Sequence, residues 1–110
     1  SEVVGELTVT EDLSNRNGVM HGGAIMGFAD NLAGTATCLS LPKGQNTTTI
    51  ESKTNFLRAI PLGDTISARC IKLHNGKTTV VLQTTILRED KKIAAITTQT
   101  QLIFKFHSKG

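Results

Sequence analysis

One stretch of this chain carries a helical rhythm, and nearly everything around it alternates. From Ala24 to about Leu39 the apolar residues Ile25, Phe28, Ala29, Leu32, Ala33 and Ala36 recur at spacings of three and four. That spacing predicts one amphipathic helix, ended by Pro42 and Gly44 in "LPKGQN". A lone helix this apolar must bury its stripe, and in this chain only a sheet is there to receive it.

The strands are read from period-two alternation. "VVGELTVT", residues 3–10, places Val3, Gly5, Leu7 and Val9 on one face, and "EDLSNRNG" after it is turn chemistry. Beyond the helix, "TTTIESKTNFLRA" sets Ile50, Ser52, Thr54 and Phe56 against Thr49, Glu51, Lys53, Asn55 and Leu57. "IPLGD" makes a corner into "TISARCIKLH", and Asn75 with Gly76 is a strong hairpin signal leading back through "KTTVVLQTTILR". "EDKK" turns once more and "IAAITTQTQLIFKF" closes the run. Sixteen threonines, mostly in these segments, suit a half-solvated antiparallel sheet. The expected architecture is α+β, a curved antiparallel sheet wrapped around one long central helix, with residues 1–110 as one domain.

Composition removes several function classes. The net charge is +3, but the lysines are scattered, there is no Trp or Tyr, and Phe occurs only four times. Nucleic-acid binding, which wants clustered charge interleaved with stacking aromatics, is therefore not expected, while small ligands bearing phosphates suit the charge. No run approaches the roughly 18 apolar residues of a membrane span, so no membrane partner is expected. No charged-then-apolar signal segment is present either. The chain starts at Ser1, which trimming or a preceding segment would explain. Cys38 and Cys70 fall in different elements without CxxC spacing, which fits a reduced, cytoplasmic setting. His21, His74 and His107 show no zinc-type spacing, and neither metal nor resident cofactor is expected.

The candidate chemistry clusters at and along the helix. His21, Gly22 and Gly23 supply its first turn, where backbone N–H groups lack intrahelical acceptors and the dipole favours a developing oxyanion. Two glycines leave that backbone open to close approach, although Gly-Gly also serves simply to ease a loop into a helix. Asp30 is the one acid in the helix, and it shares a face with the small or slender residues Gly23, Met26, Gly27, Gly34 and Thr37. A carboxylate there is either a solvated acid or a nucleophile or general base in a confined site. His21 and Asp30 are separated by about 13 Å of helical rise, too far to serve one reacting group from one chain. A twofold partner would bring one subunit's acid to the other's helix start.

The run N-x5-HGG-x6-D, filled by Asn15, His21, Gly22, Gly23 and Asp30, resembles the hotdog-fold acyl-CoA thioesterases. Within them it is similar to the phenylacetate-degradation and 4-hydroxybenzoyl-CoA thioesterase-like group. "NFLRAIPLGDTI" resembles that family's second landmark and "NGKTTVV" a third, so the likeness spans residues 15 to 82 in the right order. It implies hydrolysis of an acyl-CoA, with Asp30 as nucleophile or as base for water and the Gly22 N–H as donor to the thioester carbonyl. It further implies that Asn15 positions thioester or water, that His21 hydrogen-bonds near the thioester or shapes the loop, and that Thr49 holds water. Arg58 and Lys77 would meet the coenzyme's phosphates, Gly23 and Gly76 would let it approach the backbone, and Phe56 would line the pantetheine tunnel or else sit in the core. A homodimer assembled into a homotetramer is the implied assembly.

Some positions depart from the pattern. Relatives carry a helix before the first strand that is not seen here, and many have proline where Ala59 stands. Asp30 is a methylene shorter than the glutamate of some relatives, which favours activating water over direct attack. Two rival functions are compatible with such a fold. Hydratases on this fold pair an acid with a histidine five residues later, and here Asp30 is followed at that distance by Thr35. A non-catalytic acyl-CoA sensor would tolerate loss of the acid, so the presence of Asp30 speaks against it.

Overall fold

The computed structural model describes residues 2–105; Phe106, the end of the expected last strand, and His107 lie outside them. The chain runs β1 (Glu2–Thr8), a 3-10 turn (Glu11–Leu13), α1 (Gly22–Cys38), β2 (Gln45–Phe56), β3 (Thr65–Asn75), β4 (Thr79–Leu87) and β5 (Ile93–Lys105). The strands form one five-stranded sheet in the order β1-β3-β4-β5-β2, antiparallel at every pairing. The helix packs against all five strands. One strand, one helix and four further strands give the curved sheet around a helix that the element order predicts, and this is the hotdog fold that the resemblance implies.

The helix seats itself through small residues. Its buried positions are Ile25, Ala29, Ala33, Ala36 and Thr37, whereas Phe28 and Leu32 stay partly buried at the rim. Alanines bring the helix axis close to the sheet, against Ile66, Ala68 and Cys70 of β3, Val80, Leu82 and Ile86 of β4, and Ala95 of β5. Gly5 on β1 completes the fit, since a Cβ there would come within 3.2 Å of Leu32 Cδ1. Thr37, expected on the small-residue face with Asp30, turns inward instead. It is fully buried, and its hydroxyl folds back to donate to the Ala33 carbonyl at 2.9 Å, which satisfies the group without solvent.

Strand β2 does not alternate without a break. Thr49 stands opposite Gln101 while Glu51 stands opposite Thr100, so Ile50 is the extra residue of a β-bulge. Before the bulge Thr47 and Thr49 face the helix side, and after it Ser52 and Thr54 oppose the inward Gln99 and Thr97. Thr49 and Thr54, expected on opposite faces, thus share one. The Asn75 hairpin is present, but its loop spans residues 76–78, closed by Gly76 N–H donating to Thr79 O at 2.9 Å. Neither Asn75 nor Gly76 takes a positive φ, so the two-residue turn that the pair signals is not formed.

The corner at residues 57–64 is braced despite Ala59 standing where proline was looked for. Arg88 Nη1 donates to Ala59 O at 3.1 Å, and Met20 N–H donates to Ile60 O at 2.8 Å. Gly63, with φ of 93°, makes the reversal that a side chain would strain. No helix among the described residues is long and apolar enough to cross a membrane.

Candidate active site

The helix entrance is built by its own loop. Asn15 Oδ1 accepts from Asn17 N–H at 2.9 Å and from Val19 N–H at 3.4 Å, and Asn15 N–H donates to Val19 O at 2.8 Å. The side chain expected to position thioester or water therefore spends its oxygen on the loop, and its NH2 end is the part left to address a ligand. His21 is the N-cap, its Nδ1 accepting from Ala24 N–H at 3.0 Å. His21 thus shapes the turn from loop to helix. Because the cap reaches to Ala24, the amides of Gly22 and Gly23 find no acceptor among the described residues.

A cavity of about 340 Å³ opens beside these amides, bordered by Met20, Gly22, Ile25, Phe56, Arg58 and Ala59 among others. The Phe56 ring lies over the helix start, where a Cβ on Gly22 would come within 3.3 Å of Phe56 Cζ. Phe56 is 52% exposed, so it is a cavity wall and not a core aromatic. Arg58 stands at the same rim with Nη1 donating to Ile93 O at 2.7 Å, which fixes the guanidinium against the sheet.

Asp30 lies about 12 Å further along the helix axis than Gly22. It borders a separate groove of about 570 Å³ with Gly34, Thr35, Cys38, Thr49 and Gln101. Its Oδ1 accepts from Thr49 Oγ1 at 2.7 Å and from Gln99 Nε2 at 3.0 Å, while Oδ2 takes no bond among the described residues. Gln101 Nε2 in turn donates to Thr49 Oγ1 at 2.6 Å, and Thr47 Oγ1 donates to Gln101 Oε1 at 2.9 Å. Gln99 and Gln101 are each only 1% exposed. Gln99 Oε1 is buried without a partner, an omission that ordinarily costs about 1–3 kcal/mol.

The remaining candidates sit elsewhere. Gly76 and Lys77 border a third cavity of about 380 Å³ with Ser40, Pro42, Gln45 and Asn75, near which Lys72 Nζ donates to Ser40 Oγ. Glycine at position 76 has a cause within the chain, since a Cβ would meet His74 Nε2 at 2.7 Å and Thr79 O at 3.0 Å. A Cβ on Gly23 would approach only the capping ring, at 3.4 Å from His21 Nδ1. One chain therefore gathers Gly22, Phe56 and Arg58 at the helix start, and Asp30 with Thr49 at mid-helix, without joining the two groups.

Sequence reasoning missed Gln99 and Gln101. The available signal was their phase: they continue the inward face of Ala95 and Thr97 in a strand of period two, where an apolar side chain is the ordinary choice.

A curved antiparallel sheet wrapped around one helix is the hotdog architecture. The sequence signature of the thioesterase superfamily matches residues 17–95, and the chain belongs to that superfamily of thioester hydrolases. Among curated proteins none matches it. Solved structures do. A thioesterase from Haemophilus influenzae superposes with a TM-score of 0.92 at 22% identity, covering 98% of this chain and 75% of the other. A Streptococcus mutans protein bound to acetyl-CoA gives 0.88 at 27% identity over 97% of this chain and 84% of its own. The PaaI protein of the Escherichia coli phenylacetic acid degradation operon gives 0.86 at 28% identity, over 96% and 74%.

Proposed function

We propose that this protein hydrolyses an acyl-CoA thioester to the free carboxylic acid and coenzyme A. The observation that carries the reading is the state of Asp30: one oxygen is gripped by two donors and the other is left to act. Membership of the thioesterase superfamily and the acetyl-CoA held by the S. mutans relative support the choice of substrate class.

The thioester carbonyl docks its oxygen on the Gly22 N–H, where the unpaired amides and the helix dipole stabilise negative charge. Water adds to the carbonyl carbon while Asp30 of the partner subunit takes its proton. The tetrahedral intermediate collapses, the C–S bond breaks, and the proton returns to the departing thiolate. Acid and thiol are the products. Two protomers are required because about 12 Å of helix separates Gly22 from Asp30, and a twofold axis brings the halves together. The homodimer pairs again into a homotetramer. Asn15 and His21 shape the entrance, the former offering its NH2 to the thioester, and Thr49 holds Asp30. Phe56 borders the pantetheine, Gly23 and Gly76 admit the coenzyme to the backbone, and Arg58 and Lys77 meet its phosphates.

The test is thiol release from short-chain, medium-chain and aromatic acyl-CoAs by the wild type, Asp30→Ala and Asp30→Asn. Turnover by the wild type that both variants lose, with coenzyme A still bound, is the expected outcome. Undiminished turnover by Asp30→Ala, or no turnover of any thioester by the wild type, would overturn the reading.

A further inference from the structure

Gln99 is an expensive residue for a core. It is 1% exposed, its Oε1 has no partner, and its Nε2 donates to Asp30 Oδ1 at 3.0 Å. Turning the amide over would set its oxygen against the carboxylate oxygen, so the orientation is dictated by Asp30 and the orphaned atom is its consequence. An apolar side chain of the same shape would pack the core without leaving an orphan. What the amide uniquely supplies is a fixed donor at one oxygen of the acid.

Gln101 acts one bond further away. An ionised carboxylate only accepts, so Thr49 must donate its one hydroxyl proton to Asp30 Oδ1, at 2.7 Å. Thr49 Oγ1 must then accept from Gln101, which turns Nε2 toward it at 2.6 Å and presents Oε1 to the Thr47 hydroxyl at 2.9 Å. The direction of every bond from Thr47 to Asp30 follows from the charge at one end. Reversing the Gln101 amide would set its Oε1 against Thr49 Oγ1, where it would compete with Asp30 for the one hydroxyl proton.

We propose that Gln99 and Gln101 are positioning residues for Asp30, Gln99 by gripping Oδ1 directly and Gln101 by fixing the direction in which Thr49 donates to that same oxygen, so that Oδ2 alone faces the reacting group. The proposal rests on Asp30 being the catalytic carboxylate. It assigns a function to two residues that act through Asp30 and Thr49, and it makes the last strand as much a part of the site as the helix.

The experiment compares Gln99→Met, Gln101→Met, Thr49→Val and the two double variants carrying Thr49→Val, using the best-hydrolysed thioester of the panel, with Asp30→Asn assayed alongside. Gln99→Met lowers kcat by roughly 10- to 100-fold, the scale of a misplaced catalytic group, and leaves KM within about twofold of the wild type. Gln101→Met lowers kcat as Thr49→Val does, and adds nothing in the Thr49→Val background because it acts through that hydroxyl. Gln99→Met still lowers kcat in that background. Gln101→Leu, which also cannot donate, gives the Thr49→Val phenotype at similar size and serves where methionine perturbs folding, as judged by thermal melting. Wild-type kcat in Gln99→Met, or losses from Gln101→Met and Thr49→Val that multiply, would overturn the proposal while an inactive Asp30→Asn left the catalytic reading standing. Full activity in Asp30→Asn would overturn both.

Discussion

Gln99 Nε2 lies 3.0 Å from Asp30 Oδ1 although 69 residues separate the two in sequence. The helix thereby gains a fixed acid on its exposed side, and the last strand supplies the hand that fixes it. The same arrangement leaves the Gly22 amide, eight residues earlier, in a different cavity. Four consequences can be measured.

Gly22→Pro separates the helix start from its fold. Position 22 directly follows the N-cap, where proline is well accommodated because its missing N–H has no helical partner. His21, at φ −75° and ψ 151°, already has the extended backbone that a following proline demands. The ring would press on Phe56, whose exposed side chain can move aside. The variant should melt close to the wild type yet lose about 10²–10³ in kcat, the usual consequence of removing one oxyanion donor. Melting curves and thiol release check both halves.

His21→Ala should cost about 1 kcal/mol of stability by stripping the cap from the Ala24 amide. His21→Asn, which also accepts at an N-cap, should recover most of it. Urea denaturation of the three proteins decides the matter. Failure of asparagine to restore stability would show that the ring does more than cap.

The β4–β5 turn predicts a pH dependence. Lys91 adopts φ of 70° there, and Arg88 pairs with Asp90. Hydrogen bonding to the Arg88 side chain, and next to the Lys92 amide, lowers the Asp90 carboxyl from 3.8 to about 2. A carboxyl depressed on folding binds its proton more readily in the unfolded chain. Its contribution is thus fully present above about pH 4 and is lost as pH falls toward 2. The effect is small, since both groups meet solvent. Asp90→Asn should therefore lower the melting temperature slightly at pH 7, with the difference shrinking from about pH 4 as the pH falls through 2. A difference as large at pH 2 as at pH 7 would point to a role other than charge.

The two thiols should differ in reactivity. Cys38 is exposed at the rim of the Asp30 groove, whereas Cys70 is buried and its burial pushes the thiol pKa up, which starves it of thiolate. An aromatic disulfide reagent should titrate one thiol per native chain and two in denaturant. Rapid reaction of both in the native protein would contradict the packing of β3 against the helix.

The elements and their order were legible in the chain, because each depends on local periodicity. Ile25, Ala29, Ala33 and Ala36 repeat at helical spacing and the inward residues of β3, β4 and β5 repeat every second position, so a lone helix inside a curved sheet followed. The places of His21, Gly22, Gly23 and Asp30 on one helix followed from the same periodicity, while the roles expected of them came from the family resemblance. The bulge at Ile50 was not. It depends on how β2 meets β5, and one extra residue brought Thr49 to the same face as Thr54. Nor was the grip on Asp30, since Thr49, Gln99 and Gln101 approach it only once β2 and β5 pair beneath the helix. Periodicity is a property of neighbours in the chain and survives in the sequence. A hydrogen bond between a helix and a strand 69 residues away is a property of packing, and only the folded structure decides it.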